Sequence, residues 1–291
     1  MATLPAPLTL VFSTVLSARD LPTVSSRLCN VPIEQKSHFQ LLRFGKALPP
    51  PLTSKLSCKP TLELFPGSES WSSAHSAAGF STVVHNWKNG ACPDFDMCDD
   101  AYFSGRLMPS LHRRTFSAVH IGCECTTFST ATGGLYRTFD DPLGTYHGLA
   151  HSDQRVRDKT LSGTKYGTNS LNAFEAADAA GSLTSLEQPL GSSLLELPAG
   201  ANIKRRIAAG SLYLFKTSYC RWGRRFRGTR MIITNCKALE ALERSCCHSS
   251  HSTILAFHAT DTKNANSYPK RLVRAWAAIT RMVVTSKMLG K

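Results

Sequence analysis

The stretch CRWGRRFRGTR, Cys220 to Arg230, sets five arginines around one tryptophan and one phenylalanine. Guanidinium is a planar fork matched to phosphate oxygens, and aromatic rings stack on unpaired bases, so these residue types suit single-stranded RNA or DNA. Arg221, Trp222, Arg224, Arg225, Phe226, Arg227 and Arg230 are the candidate nucleic-acid contacts. Lys204, Arg205 and Arg206 add charge upstream, and Tyr213, Phe215 and Tyr219 would extend the stacking platform. No ribonucleoprotein, KH or zinc-knuckle signature accompanies them. The competing expectation is a solvated hairpin with Trp222 folded onto the core.

Soft metal ligands form two groups: His120, Cys123 and Cys125, with Cys92 and Cys98 upstream, and Cys246-Cys247-His248-x-x-His251. Structural zinc usually takes two ligand pairs at short spacing, and neither run has that pattern. The cysteines are therefore expected to be buried or disulfide-bonded, and no metal or cofactor is assigned. In HGLAH, His147 to His151, a glycine follows the first histidine where metalloprotease chemistry needs a glutamate. The acids of DFDMCDD, Asp94, Asp96, Asp99 and Asp100, lack the spacing and glycine of a calcium loop. Walker A, Gly-x-Gly-x-x-Gly and Gly-x-Ser-x-Gly patterns do not occur, so the sequence gives no positive evidence for an enzyme.

Charge is unevenly placed. Residues 1–90 carry 8 basic and 4 acidic groups, residues 91–200 carry 8 and 13, and residues 201–291 carry 18 and 3. The net +14 of the chain is thus a property of its last third. Such a localised field favours a polyanion, nucleic acid or an anionic membrane surface, unless the acidic middle neutralises it within one fold.

The first 60 residues contain only Asp20 and Glu34 as acids while Ser, Thr and Arg recur, as in an organelle (mitochondrial or plastid) transit peptide. A secretory signal over Leu8 to Leu16 is the rival. Pro5, Pro7 and several hydroxyls interrupt this stretch, which is too short and too broken to cross a membrane. From Leu48 to Ser76 the density of Pro and Ser reads as a linker.

Folding elements are expected from Ser81 onward. STVVHNW and FSAVHIGCECTTF read as strands, and TNSLNAFEAADAAG as a helix starting at Asn169 or Ser170, with Leu171, Phe174 and Ala177 or Asp178 inward and Gly181 as its stop. SLYLFKTSYC and RMIITNC read as a hairpin with the arginines at its tip and Gly223 and Gly228 in the turn. TNCKALEALERSCC reads as a helix, and YPKRLVRAWAAITRMVVTSKMLGK is the clearest amphipathic pattern, with Leu272, Trp276, Ile279 and Val283 on one side.

The resulting expectation is an α+β protein of small mixed domains: a disordered leader and linker over 1–80, an acidic, partly β region over 81–200, and a basic module over 201–291. Its expected function is non-catalytic binding of single-stranded RNA or DNA. The alternative is a protein partner or anionic membrane held by Leu272, Trp276, Ile279 and Val283. A third expectation is a poorly selected reading frame without one fold, since helical stripes are weak and cysteines scattered.

Overall fold

Four short runs, mostly buried on both faces, build the parallel half of a mixed sheet: β1 (Thr61–Leu64), β2 (Thr82–His85), β3 (Ala118–Ile121) and β4 (Leu183–Pro189). The computed structural model describes residues 56, 58–85, 95–251 and 267–290, all within one compact unit. β5 (Tyr213–Ser218) and β6 (Thr229–Thr234) complete the sheet as the expected antiparallel hairpin. Its strand order is β2-β1-β3-β4-β6-β5, with β6 antiparallel to both neighbours.

Helices cover both faces. α1 (Ser70–Ala77) joins β1 to β2; α2 (Asp100–Tyr102), a π turn over Phe103–Leu107 and α3 (Met108–His112) precede β3. α4 (Gln154–Ala179) joins β3 to β4, α5 (Ala201–Ala208) precedes β5, and α6 (Lys270–Met288) closes the described chain. Alternation along the strands divides the apolar residues between two cores. Leu62, Leu64, Val119 and Ile121 meet Leu107, Leu111, Leu171 and Phe174 on one face. Ala118, Leu183, Phe215 and Ile232 meet Trp71, Leu272 and Trp276 on the other. Burying Trp71 and Trp276 removes two of the three tryptophans of that second core wholly from water, each worth several kcal/mol, about 3–5 for deletion of a core aromatic.

The α+β class holds, with helices and a mixed sheet. The expected leader up to residue 55 lies outside the described residues. The supposed linker does not: its described part supplies β1 and α1, because TLEL is apolar enough to sit at the centre of the sheet and the Pro66-Gly67 dipeptide is the turn behind it. The boundaries at 80 and 200 likewise delimit nothing, since strands from all three segments share one sheet. α4 keeps its expected inward residues and its stop at Gly181 (φ 82°) but begins fifteen residues earlier, where the Asp153 side chain accepts a hydrogen bond from the Arg155 N–H as N-cap. The expected helix after Asn235 is a 3₁₀ segment over Lys237–Leu242.

The docking face proposed on the C-terminal helix is corrected. Leu272, Trp276 and Ile279 are buried and Val283 is half-buried, because this stripe packs on α1 and the sheet. Among the described residues no helix is long and apolar enough to cross a membrane.

Candidate functional site

In an open α/β sheet the crevice for ligands lies outside the carboxyl ends of the parallel strands, where successive connections leave in opposite directions. Here that point falls between β1 and β3: α1 carries the chain to β2 across one face, and α2 and α3 bring it back to β3 across the other.

The β1–α1 turn at this point is held in an unusual backbone. Phe65, Gly67 and Glu69 all have left-handed φ, at 58°, 56° and 53°. Two of the three described non-glycine residues with positive φ are therefore in this one turn. Each costs on the order of 1–2 kcal/mol, and such strain persists where surrounding structure enforces it, characteristically at ligand sites. Gly67, Ser68 and Glu69 are exposed. Across from them, the Gly122 N–H donates to the Leu64 carbonyl at 3.1 Å, and a Cβ on Gly122 would lie 3.0 Å from the Tyr268 hydroxyl.

Beneath the crevice lies a network of buried polar groups. The Tyr268 hydroxyl donates to Glu187 Oε2 at 3.0 Å and bonds to His120 Nε2 at 2.9 Å, while His120 Nδ1 meets Ser185 Oγ at 3.0 Å. Tyr268 has one proton, so His120 Nε2–H donates to it, and Nδ1 accepts from Ser185. Burial lowers the His120 pKa to about 3, which keeps this ring neutral. Glu187 Oε1 sits 3.3 Å from Arg230 Nε, close enough for an ion pair though not in hydrogen-bond geometry. Burial raises the Glu187 carboxyl against the pull of Arg230. Burial also opposes the Arg230 charge, but Tyr219, Glu187, Cys125 and Tyr268 outweigh it and hold the guanidinium protonated. Cys125, half-buried in the loop after β3, is thus within electrostatic reach of Arg230 and Tyr219. On β1, Glu63 Oε2 accepts from the Ser72 N–H at 2.9 Å and so caps α1; burial raises its pKa to about 7, with the Ser72 hydrogen bonds opposing.

The wall on the β2 side is aromatic. His85 stacks flat on Phe95 with ring centres 4.3 Å apart and bonds to the Tyr102 hydroxyl. Phe65 meets Tyr166 edge-on, and Tyr166 donates to Asp96 Oδ1 at 2.9 Å.

The seven candidate nucleic-acid contacts divide sharply. Trp222 and Phe226 are buried with Tyr219 and Phe215 in the second core, so no aromatic platform faces solvent there. Trp222 Nε1 donates to Thr217 Oγ1 at 2.8 Å. Arg230 belongs to the buried network just described, and Arg224 donates to the Ser267 carbonyl at 3.0 Å and to its hydroxyl at 2.6 Å. Arg221, Arg225 and Arg227 are exposed, and among the described residues no carboxylate pairs with them.

The first group of soft ligands is dispersed. β3 ends at Ile121, leaving Cys123 buried in the first core, His120 on the opposite face and Cys125 beside Arg230. Cys92 lies outside the described residues. His147 bonds to Asp141 at 2.8 Å and His151 accepts from the Asp153 N–H, so HGLAH braces a loop. Asp96 and Asp99 serve as hydrogen-bond acceptors within the fold, and Asp94 lies outside the described residues. None of the eight described cysteines is in a disulfide. Reasoning from sequence missed the crevice entirely; its one local signal was Pro-Gly directly after the apolar run TLEL. No protein-family model matches this chain, and no curated protein matches it significantly.

Proposed function

We propose that the chain binds a small molecule of the nucleoside or nucleotide class in the crevice at the carboxyl ends of β1 and β3, close enough to the loop after β3 to shield the Cys125 thiol. The observation that carries this reading is the strained Phe65–Glu69 turn, exposed at Gly67, Ser68 and Glu69, at the switch point of the sheet. Buried ionisable groups directly beneath it support the reading, because such groups gather where chemistry is done. Cys125, in the loop directly after β3 and within electrostatic reach of the buried Arg230, supports the choice of this loop as the rim of the site.

The test is a thermal-shift panel of adenosine, AMP, ATP, NAD, FAD and S-adenosylmethionine, with peptide mapping of iodoacetamide labelling. A ligand at 100 times its Kd contributes about 2.7 kcal/mol, which for a unit of this size raises Tm by roughly 5–10 °C. Labelling of Cys125 should slow in its presence. Absence of any shift at millimolar concentration, or a shift that leaves Cys125 labelling unchanged, would overturn the assignment.

A second reading keeps part of the basic stretch as a nucleic-acid surface. It is favoured by the exposure of Arg221, Arg225 and Arg227 together with Lys204 and Arg205 on α5. Contacts would be to phosphate alone, so binding of single-stranded RNA should fall with log salt at a slope of about −2 for three arginines. A slope unchanged by Arg225→Ala and Arg227→Ala would remove this reading.

A further inference from the structure

Cys220, Cys246, His248 and His251 converge although 25 residues separate the first from the second. Their ligand atoms all lie within 4.8 Å of one another. Cys246 Sγ is 3.1 Å from His251 Nε2 and 3.6 Å from His248 Nδ1. With metal–sulfur bonds of about 2.3 Å and metal–nitrogen bonds of about 2.0–2.1 Å, a tetrahedral centre sets its ligand atoms roughly 3.3–3.8 Å apart. The group needs only small side-chain adjustments to reach that geometry.

The scaffold beneath it is built by backbone hydrogen bonds. Cys220 stands on the 3₁₀ turn Tyr219–Trp222 that follows β5. The chain around Arg244 runs alongside β5: the Ser218 N–H donates to the Arg244 carbonyl at 2.8 Å, and the Arg244 N–H to the Lys216 carbonyl at 3.1 Å. One step on, the Cys246 N–H donates to Ser218 Oγ at 3.2 Å, which brings its thiol to Cys220. His248 and His251 fold back with their rings 5.3 Å apart, edge to face.

We propose that Cys220, Cys246, His248 and His251 form a structural zinc site that fastens the segment after Arg244 to the turn after β5. Two thiolates with two imidazoles in a tetrahedron suit Zn²⁺ among the common divalent ions, and four protein ligands leave no position open for substrate. Cys247, which points to Arg221 at 2.8 Å, is not a ligand. This centre is independent of the crevice at β1 and β3, which uses none of its residues.

The experiment is metal analysis of the full-length chain purified under reduction, followed by Co²⁺ replacement. One equivalent of zinc per chain is expected, and the cobalt form should show the intense visible bands and thiolate charge-transfer absorption of a tetrahedral S₂N₂ site. Cys246→Ser and His251→Ala should each lose the bound equivalent to a competing chelator. His248→Cys, which keeps four ligands, guards against variants that fail to fold: its thiolate absorption should rise by about half, as two sulfurs become three. Metal-free reduced protein that takes up no Co²⁺, metal retained by both ligand-loss variants, or an unchanged charge-transfer band in His248→Cys would each overturn the site.

Discussion

Replacing Trp222 by alanine separates the two roles that its neighbourhood of arginines suggests. If the ring were a stacking surface, the variant would keep its stability and bind RNA less well. The structure places it in the second core, with its N–H on Thr217 Oγ1 and the Arg244 guanidinium carbon 4.0 Å from the ring centre. Deleting a core aromatic costs about 3–5 kcal/mol, the lost hydrogen bond adds about 1, and the cation–π contact about 0.5–1. These terms overlap, so the expected loss is about 4–5 kcal/mol from a total of roughly 5–15. With a urea m-value of about 3 kcal/mol/M, near the upper end for single domains, the midpoint should fall by about 1.5 M. Far-UV circular dichroism is the appropriate readout, because the substitution removes a fluorophore. Trp222→Phe, which keeps most of the packing and loses the donor, should cost only about 1–2 kcal/mol. A Trp222→Ala midpoint within experimental error of the wild type, with RNA affinity reduced, would refute the core assignment.

Two further outcomes follow from the same geometry. Glu63 binds its proton more tightly in the folded chain (pKa about 7) than in the unfolded one (4.5), so the wild type loses stability as pH rises between those values. Glu63→Gln keeps an acceptor for Ser72 without this loss, and its Tm relative to wild type should be higher at pH 8 than at pH 4, by the equivalent of at most about 3 kcal/mol. Gly167→Ala should destabilise by about 1–3 kcal/mol despite the better helix propensity of alanine, since its Cβ would lie 2.5 Å from Phe128 Cζ and 2.9 Å from both Leu194 Cδ1 and Leu197 Cδ1; Gly105→Ala, with nothing within 4 Å, is the control in urea melts.

Local signals were readable where local physics decides the structure. The β5–β6 hairpin, α6, and the inward face of α4 at Leu171, Phe174 and Ala177 follow from periodicity and turn residues alone. β1 and α1 were obscured because a four-residue central strand carries too little pattern to stand out among prolines and serines. Trp222 and Phe226 suggested stacking residues because their arginine neighbours dominate the composition, with Trp222 on the core as the competing expectation; the 3₁₀ turn after β5 carries Trp222 into the second core, and Phe226 packs in the same core. The crevice depends on strand order, a long-range property that no window of sequence contains. The metal ligands divide three to one across 25 residues, so only the hydrogen bonds between β5 and the Arg244 segment bring them together.

α6 contributes Leu272, Trp276 and Ile279 to the second core, and its Thr280 hydroxyl and Arg281 guanidinium reach back to His75 and the Ala78 carbonyl, more than 200 residues earlier. During synthesis, then, the part of this face that α6 covers stays open until residues 270–288 have left the ribosome. At about 5–20 residues per second that interval lasts many seconds, with Trp71 and the strands beneath it uncovered. Loop closure over such a separation also slows the final step of folding. Nascent chains of this protein are accordingly expected to need chaperone cover, and a chain that ends between β6 and residue 270 should sediment on expression where the full-length chain stays in the supernatant.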